Sequence, residues 1–334
     1  MRAIQVREFG GPEVLEPTVL SDPVPSHDEL LVQVTGVGVN YADTHQAENT
    51  YLSGSSLPFV PGAEVVGFVV DPGGRQRRVC GFVSRGGGYA ELAVVRSGLS
   101  FDVPGNVSDA AALSLLVQGL TAWHLVRTCA RVQPGESVVV HAAAGGVGNL
   151  AVQLAKHAGA GRVIATASSQ DKLDLAASLG ADVGVLLEPG VTSHDVAHRL
   201  KEANGGHRVD AVFEMVGGTT FDGSLHALAP FGRLVTFGMA SRTPPTPLSP
   251  SSLMVGSHSV IGFWLMDCMR ADKVHAMVGA PLHELVAEVA SGRLTPLAGH
   301  TYPLSHARQA HEDMRARRTT GKVVLDPRLG EAHA

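Results

Sequence analysis

The chain has very little cysteine. Its 334 residues include three, Cys80, Cys129 and Cys268, scattered and odd in number. That pattern excludes a disulfide framework and a Cys-x-x-Cys metal knuckle, so a reducing, cytoplasmic compartment is expected. No charge of one sign dominates: 26 Lys and Arg against 31 Asp and Glu leave a net charge of −5. A basic stripe interleaved with aromatic residues is also missing, so neither nucleic acid nor an anionic membrane is expected as a partner. The first residues, Met-Arg-Ala-Ile-Gln-Val-Arg, read as a charged strand and not as a signal peptide. No apolar run reads as long enough to span a membrane. What the chain does have is 39 glycines and 44% hydrophobic residues, enough for sizeable cores in two domains or one large one.

The pattern changes along the chain. Up to about residue 105, short β-type runs such as Ala3–Val6, Glu29–Val39, Glu64–Val70 and Tyr89–Val95 are divided by Gly, Pro and Asp turns. A compact, barrel-like antiparallel domain fits that spacing. Asp109–Leu116 and Thr121–Cys129 then read as helices, and from residue 137 β and α segments alternate, as a parallel sheet with right-handed crossovers requires. The Pro-rich stretch 242–250 reads as an irregular connection, and Ser259–Trp264 as a further strand. Gly299–Pro303 and Lys322–Leu325 are strand-like again and are expected to return to the first domain. The expected fold class is therefore α/β: a β-barrel-like domain, 1–108 with 293–334, around a doubly wound parallel-sheet domain, 109–292.

Val138–Gly148, Val-Val-Val-His-Ala-Ala-Ala-Gly-Gly-Val-Gly, is the most informative segment. A β-branched run ends in a turn of small residues, and a helical pattern follows from Asn149. Strand, glycine turn and helix in that order suit a dinucleotide: backbone N–H groups must approach the diphosphate closely, at the positive end of a helix. Aligned on G-x-G-x-x-G, the first glycine is Ala143; the cradle is Ala144, Gly145, Gly146, Val147 and Gly148. The next strand, 162–167, ends about 20 residues past the turn, where the ribose-recognising residue belongs. Ser168, Ser169 and Lys172 stand there instead of a carboxylate. Hydroxyls and a cation suit a 2′-phosphate, which favours NADPH over NADH. Ser168 can alternatively cap the helix that follows.

Four further motifs stand in order around this segment's own Ala142–Gly148, making five: Val39-Asn40-Tyr41-Ala42-Asp43, Pro61–Gly67 and Gly88-Tyr89-Ala90-Glu91 before it and Thr319–Leu325 after it. With them the chain resembles, over nearly its whole length, the zinc-independent quinone oxidoreductases (zeta-crystallin-like) of the medium-chain dehydrogenase/reductase superfamily. The resemblance implies a GroES-like domain beside a Rossmann domain, with NADPH in the cleft between them and a homodimer formed through edge strand 259–264. Val216, then Phe237, Gly238 and Met239, and Phe263 would face the nicotinamide. Arg317 or its neighbour would reach the 2′-phosphate, while a tyrosine that serves some relatives there is replaced by Leu187.

At the positions of the zinc ligands of the alcohol dehydrogenases this chain carries Asn40, Ala63 and Gln118, and neither an amide nor a methyl group replaces thiolate or imidazole. No catalytic metal is expected, and His306 and His311, five apart, read as solvated helix residues. For catalysis the candidates are Asn40, Thr121 and His45 as donors to a developing oxyanion, His45 as a proton donor, and Asp43 of the Asn-x-x-Asp signature. Asp43 bracing the following helix and Asn40 fixing a turn are the alternatives. The implied reaction is hydride transfer to a quinone or similar electron-poor conjugated carbonyl. An enoyl or alkenal double-bond reductase, and a non-catalytic NADPH- or RNA-binding protein, are the competing readings.

Overall fold

The structure, a computed structural model, describes residues 1–70, 76–84, 86–270 and 272–330. In chain order the strands are β1 (Arg2–Gln5), β2 (Glu16–Val19), β3 (Glu29–Val39), β4 (Glu64–Val69), β5 (Arg78–Val83) and β6 (Leu92–Asp102). Then come β7 (Ser137–Val140), β8 (Arg162–Ala167), β9 (Val183–Leu186), β10 (Val209–Glu214), β11 (Leu228–Thr236) and β12 (Ser259–Gly262). β13 (Ala298–Pro303) and β14 (Lys322–Asp326) follow. The chain divides into two compact units, residues 1–117 with 278–334, and residues 118–277.

In the first unit β13-β14-β3-β4-β5-β6 form one sheet, and β3 also pairs with β6, which bends the sheet back into a barrel-like closure. The expectation of a wholly antiparallel domain is corrected at one place: β13 and β14 run parallel. The intervening helix Ala307–Arg315 carries the chain back across the sheet, as a parallel pair needs. β3 is buried on both faces from Val34 to Val39, which explains its nearly unbroken apolar sequence. Val32, Val37, Val39, Tyr89, Val323 and Leu325 lie in one core.

In the second unit the order is β12-β11-β10-β7-β8-β9, with every adjacent pair parallel. Strand order reverses between β7 and β10, and such a reversal opens a crevice at the carboxyl ends of the strands. β7 is buried at all four positions, as a central strand covered on both faces must be. Local details differ from expectation: β12 ends at Gly262, not Trp264. The helix after the glycine turn spans Gly146–His157 and so starts at Gly146, not Asn149. Asn149 Nδ2 donates to the carbonyls of Gly145 and Gly146, at 2.8 and 2.7 Å, and holds the glycines in the first turn. A short helix, Pro250–Met254, also interrupts the Pro-rich connection; proline at its first position suits a helix start.

Asp109–Cys129 is one helical run of 21 residues, long and apolar enough by length and composition to cross a membrane. That corrects the expectation that no run reaches such a length. Its apolar window is 72% buried inside the protein, the pattern of a core helix. Leu115–Gly119 and Leu125–Cys129 within it are π-helical.

Candidate active site

The glycine turn lies at the carboxyl end of β7. Ala144 and Gly148 are buried, while Gly145, Gly146 and Val147 remain partly exposed. Gly145 is extended at φ −77°, ψ 178° and serves as the N-cap. Its own N–H donates to the Ala142 carbonyl at 2.8 Å, so that amide is spent within the turn. The N–H groups of Gly146, Val147 and Gly148 precede the first intrahelical bond, made by Asn149 to Gly145 at 3.0 Å; they are the ones open to an anion. A Cβ on Gly148 would fall on the Ala142 carbonyl oxygen and 2.8 Å from Ala143 Cα. The glycine is needed for the helix to reach the strand.

Beneath the turn, His141 is buried. Its Nδ1 pairs with Thr166 Oγ1 at 2.8 Å and its Nε2 with Ser224 Oγ at 2.7 Å. Burial depresses its pKa to about 3, so the ring is neutral and ties β7 to β8 and to the helix Gly218–Ala227.

At the end of β8, Ser168, Ser169 and Lys172 are all partly exposed. Ser169, not Ser168, is the N-cap of the helix Gln170–Ser178, and its side chain makes no capping bond. The Leu187 N–H donates to the Ala167 carbonyl at 2.8 Å, which puts Leu187 beside the same strand end.

Two loops meet beyond β10 and β11. Phe237 N–H donates to the Glu214 carbonyl at 3.0 Å, Ala240 N–H to Met215 at 2.8 Å, and Ser241 N–H to Val216 at 2.8 Å. Val216 is thereby brought together with Phe237, Gly238 and Met239. Glu214 organises the turn: one oxygen, Oε1, accepts from the N–H groups of Val216 at 2.7 Å and Gly217 at 2.9 Å. Its other oxygen, Oε2, is buried with no partner. Burial pushes this carboxyl up to about 7 from its usual 4.5.

A carboxyl raised in the folded state contributes stability below its unfolded pKa and loses it as pH rises through the folded value. Glu214→Gln keeps an oxygen for both amides and cannot ionise. From pH 5 to pH 8 the native protein is expected to lose about 1–3 kcal/mol relative to this variant. Paired urea titrations at the two pH values measure it, and parallel pH profiles would contradict it.

Thr121 is nearly buried, and His124, one turn further on, is wholly so. His124 Nδ1 pairs with Thr128 Oγ1 at 2.8 Å and Nε2 with the Met277 carbonyl at 2.7 Å. Its ring stacks on Phe263, with centroids 5.4 Å apart at 29°. Burial lowers its pKa, so His124 is a neutral support for Phe263.

In the other unit, Asn40 and Asp43 sit in a buried polar network. Asn40 and Asp43 form a capping box at the start of the helix Tyr41–Ala47. The Asn40 N–H donates to Asp43 Oδ2 at 2.8 Å, and Tyr89 Oη donates to the same oxygen at 3.0 Å. Tyr89 Oη in turn lies 2.9 Å from His311 Nε2. Burial raises Asp43 to about 6 and depresses His311 to about 3. His311 is therefore buried and neutral, which corrects its reading as a solvated residue. It sits on the inner face of the helix Ala307–Arg315, against Tyr89.

The Asn40 side chain is held at both ends. Nδ2 donates to Glu64 Oε1 at 2.8 Å, and Oδ1 accepts from Lys322 Nζ at 3.1 Å. Glu64 and Lys322 form an ion pair with both side chains wholly buried. His45 stands apart from this network, partly exposed, with Nδ1 2.8 Å from Thr50 Oγ1. Arg317 lies just past the helix Ala307–Arg315 at φ 58°. Among the described residues no group of three or more His, Cys, Asp or Glu side chains is arranged to hold a metal ion.

A barrel-like unit with a parallel-sheet dinucleotide-type unit in one chain defines the medium-chain dehydrogenase/reductase class of enzyme. Residues 26–105 match the alcohol dehydrogenase GroES-like domain and residues 146–280 the zinc-binding dehydrogenase domain. A quinone oxidoreductase of Rattus norvegicus is 31% identical, with 97% of each chain covered. The native structure of a mycobacterial protein complexed with NADPH is 38% identical with a TM-score of 0.89, covering 98% of this chain and 100% of that one. The Escherichia coli quinone oxidoreductase complexed with NADPH is 29% identical with a TM-score of 0.87, again over 98% and 100%. The chain belongs to the quinone oxidoreductase family of the medium-chain dehydrogenases/reductases and is an enzyme.

Proposed function

We propose that this enzyme is an NADPH-dependent, zinc-independent reductase of quinones or similar electron-poor conjugated carbonyls. The observation that carries the reading is the partly exposed glycine turn at the switch point of the parallel sheet. There the glycines keep Cβ atoms out, and amides without intrahelical acceptors remain for a diphosphate. The NADPH complexes of the mycobacterial and E. coli relatives support it. When bound, the reduced nicotinamide supplies a hydride.

The chain's own residues bind and orient. Gly146, Val147 and Gly148 offer N–H groups to the diphosphate, with Ala144 and Gly145 shaping the turn. Ser168, Ser169 and Lys172 take the 2′-phosphate, and Arg317 is a separate candidate cation for such a group. Val216, Phe237, Gly238, Met239 and Phe263 provide the surface on the nicotinamide side. Asn40, its amide fixed by Glu64 and Lys322, and Thr121 are each candidate donors to an oxyanion developing on the substrate. Asp43 positions Asn40 through the capping box, and His45 is the proton donor. The zinc-independent part rests on Asn40, Ala63 and Gln118 standing where zinc chemistry needs thiolate or imidazole. A homodimer through β12 is part of the proposal; β12 is the edge of its sheet, hydrogen-bonded on one side to β11.

Turnover of a benzoquinone, an enone and an enoyl thioester, each with NADPH and NADH, tests the reading. The benzoquinone with NADPH is expected to be the fastest pair, before and after exhaustive chelation. The NADPH preference is expected to be about tenfold and to be lost in Lys172→Glu, since one such charge contact is worth about 1.4 kcal/mol. Negligible quinone turnover beside rapid enoyl reduction would replace this assignment with a double-bond reductase, and loss of activity on chelation would remove its zinc-independent part.

A further inference from the structure

Gln118 lies at the helix end that the NADPH reading uses, and its side chain is incompletely bonded. It is only 8% exposed, yet its Oε1 is buried without a hydrogen-bond donor. The amide lies against Gly146: a Cβ added there would fall on Gln118 Nε2, Cδ and Oε1. Gly146 opens the 12-residue helix Gly146–His157, so Gln118 leans over the amides proposed for the diphosphate. It also stands in the π-helical stretch Leu115–Gly119, and such widened turns recur at functional sites.

A buried carbonyl oxygen without a donor is costly, and a ligand that brings a donor relieves the cost. Diphosphate oxygens, ionised near neutral pH, bring none, whereas a ribose hydroxyl does. The direction of the helix selects between the two riboses. Thr121 and His124 follow Gln118 at three-residue intervals, and His124 stacks on Phe263, just past β12. In the sheet order β12-β11-β10-β7-β8-β9, β12 lies across β7 from β8, whose end carries Ser168 and Ser169.

We propose that Gln118 Oε1 accepts a hydrogen bond from a hydroxyl of the ribose next to the nicotinamide and positions that half of the dinucleotide. The proposal rests on the NADPH reading above.

The test is direct binding to the full-length protein by calorimetry, with NADPH and with 2′,5′-ADP, which carries the adenosine end alone. In Gln118→Leu, and in Gln118→Met as a second variant, NADPH is expected to bind roughly tenfold more weakly. 2′,5′-ADP is expected to bind as it does to the native protein. The unliganded variants are expected to melt no lower than native, because an orphan acceptor has been removed. Unchanged NADPH affinity would overturn the proposal, as would parallel weakening of both ligands, the mark of a merely structural role. Tighter NADPH binding by Gln118→Lys would assign the side chain to a phosphate and overturn it too. Those three results leave the NADPH reading standing; native protein that binds neither ligand would overturn that reading and this proposal together.

Discussion

Lys322→Met will destabilise the unit formed by residues 1–117 and 278–334 by about 3–5 kcal/mol. The methionine keeps most of the aliphatic stem, so packing along β14 is largely preserved. What disappears is the charge facing Glu64. Both side chains are wholly buried. Glu64 Oε2 accepts only a backbone N–H, from Val117 at 2.9 Å, and Oε1 shares the Asn40 amide. Neutral donors do not offset the desolvation of a carboxylate that has lost its cation. The backbone makes room for this pair: a Cβ on Gly38 would fall on Glu64 Oε1 and 2.6 Å from Lys322 Cε.

Adding Glu64→Gln to the lysine variant is expected to recover most of the loss. The amide retains an acceptor for Val117, and a neutral pair replaces a charged one, an exchange often close to neutral in stability. Urea unfolding of native, single and double variants by far-UV circular dichroism measures the cycle. A single-variant loss below about 1 kcal/mol, or a double variant no better than the single, would show that the pair does not hold β14 to the barrel.

This network also marks where the sequence stops being informative. Strand β7, its turn and the helix after it are legible because the local geometry admits few residues: β-branched ones in a doubly covered strand, and glycine where helix and strand touch. The return of β14 to the first domain is legible for the same reason, an apolar strand needing a partner; that the partner is β3 is shown only by the structure. Glu64 and Lys322 are 258 positions apart, and nothing in either segment names the other. Each is a charge inside an apolar strand, Glu64-Val65-Val66 and Lys322-Val323-Val324, and that mismatch is the one local hint of pairing. His311 gave no such hint. Its helix is strongly polar, and the Tyr89 that covers it is 222 residues away.

The helix start at Gly146 was obscured because glycine disfavours helix interiors, while the Asn149 side chain that stabilises the first turn acts backwards along the chain. Gln118 could be read only as a side chain unfit for zinc. Its unpaired oxygen exists because a helix and a turn 28 positions later come together. The same holds for Glu214, the last residue of β10, whose carboxylate holds the turn at Val216 and Gly217. Sequence patterns carry local periodicity, and these features are made by tertiary contact.

Gly148→Val will weaken NADPH binding by at least about 100-fold, a loss near 2.7 kcal/mol. The obstruction is backbone on both counts, the Ala142 carbonyl oxygen and Ala143 Cα, so no side-chain rotation relieves it. Ala142 already sits at φ 50°, a region that L-residues enter at a cost, and the turn has little room left to adjust. Overpacking of this kind costs about 1–3 kcal/mol wherever the structure gives way. Here the helix Gly146–His157 gives way, because its N-terminus is the partly exposed end. Moving it outward displaces the amides of Gly146 and Val147 from the diphosphate, and an interaction between an anion and a helix end falls off within the first turn.

The neighbouring glycines supply the controls. In Gly146→Ala the new methyl meets the Gln118 side chain, which can swing aside, so an intermediate loss is expected. In Gly145→Ala the Cβ lies 3.0 Å from the Ala142 oxygen, a tight contact that a shift of a few tenths of an ångström relieves, and the loss is expected to be small. Fluorescence titration with NADPH, on variants whose circular dichroism matches native, reads the order 148, then 146, then 145. Equal losses at all three positions would mean that the turn tolerates no disturbance at all. Native affinity in Gly148→Val would mean that the diphosphate does not rest on this helix, and the assignment of the 118–277 unit as the cofactor-binding unit would fall with it.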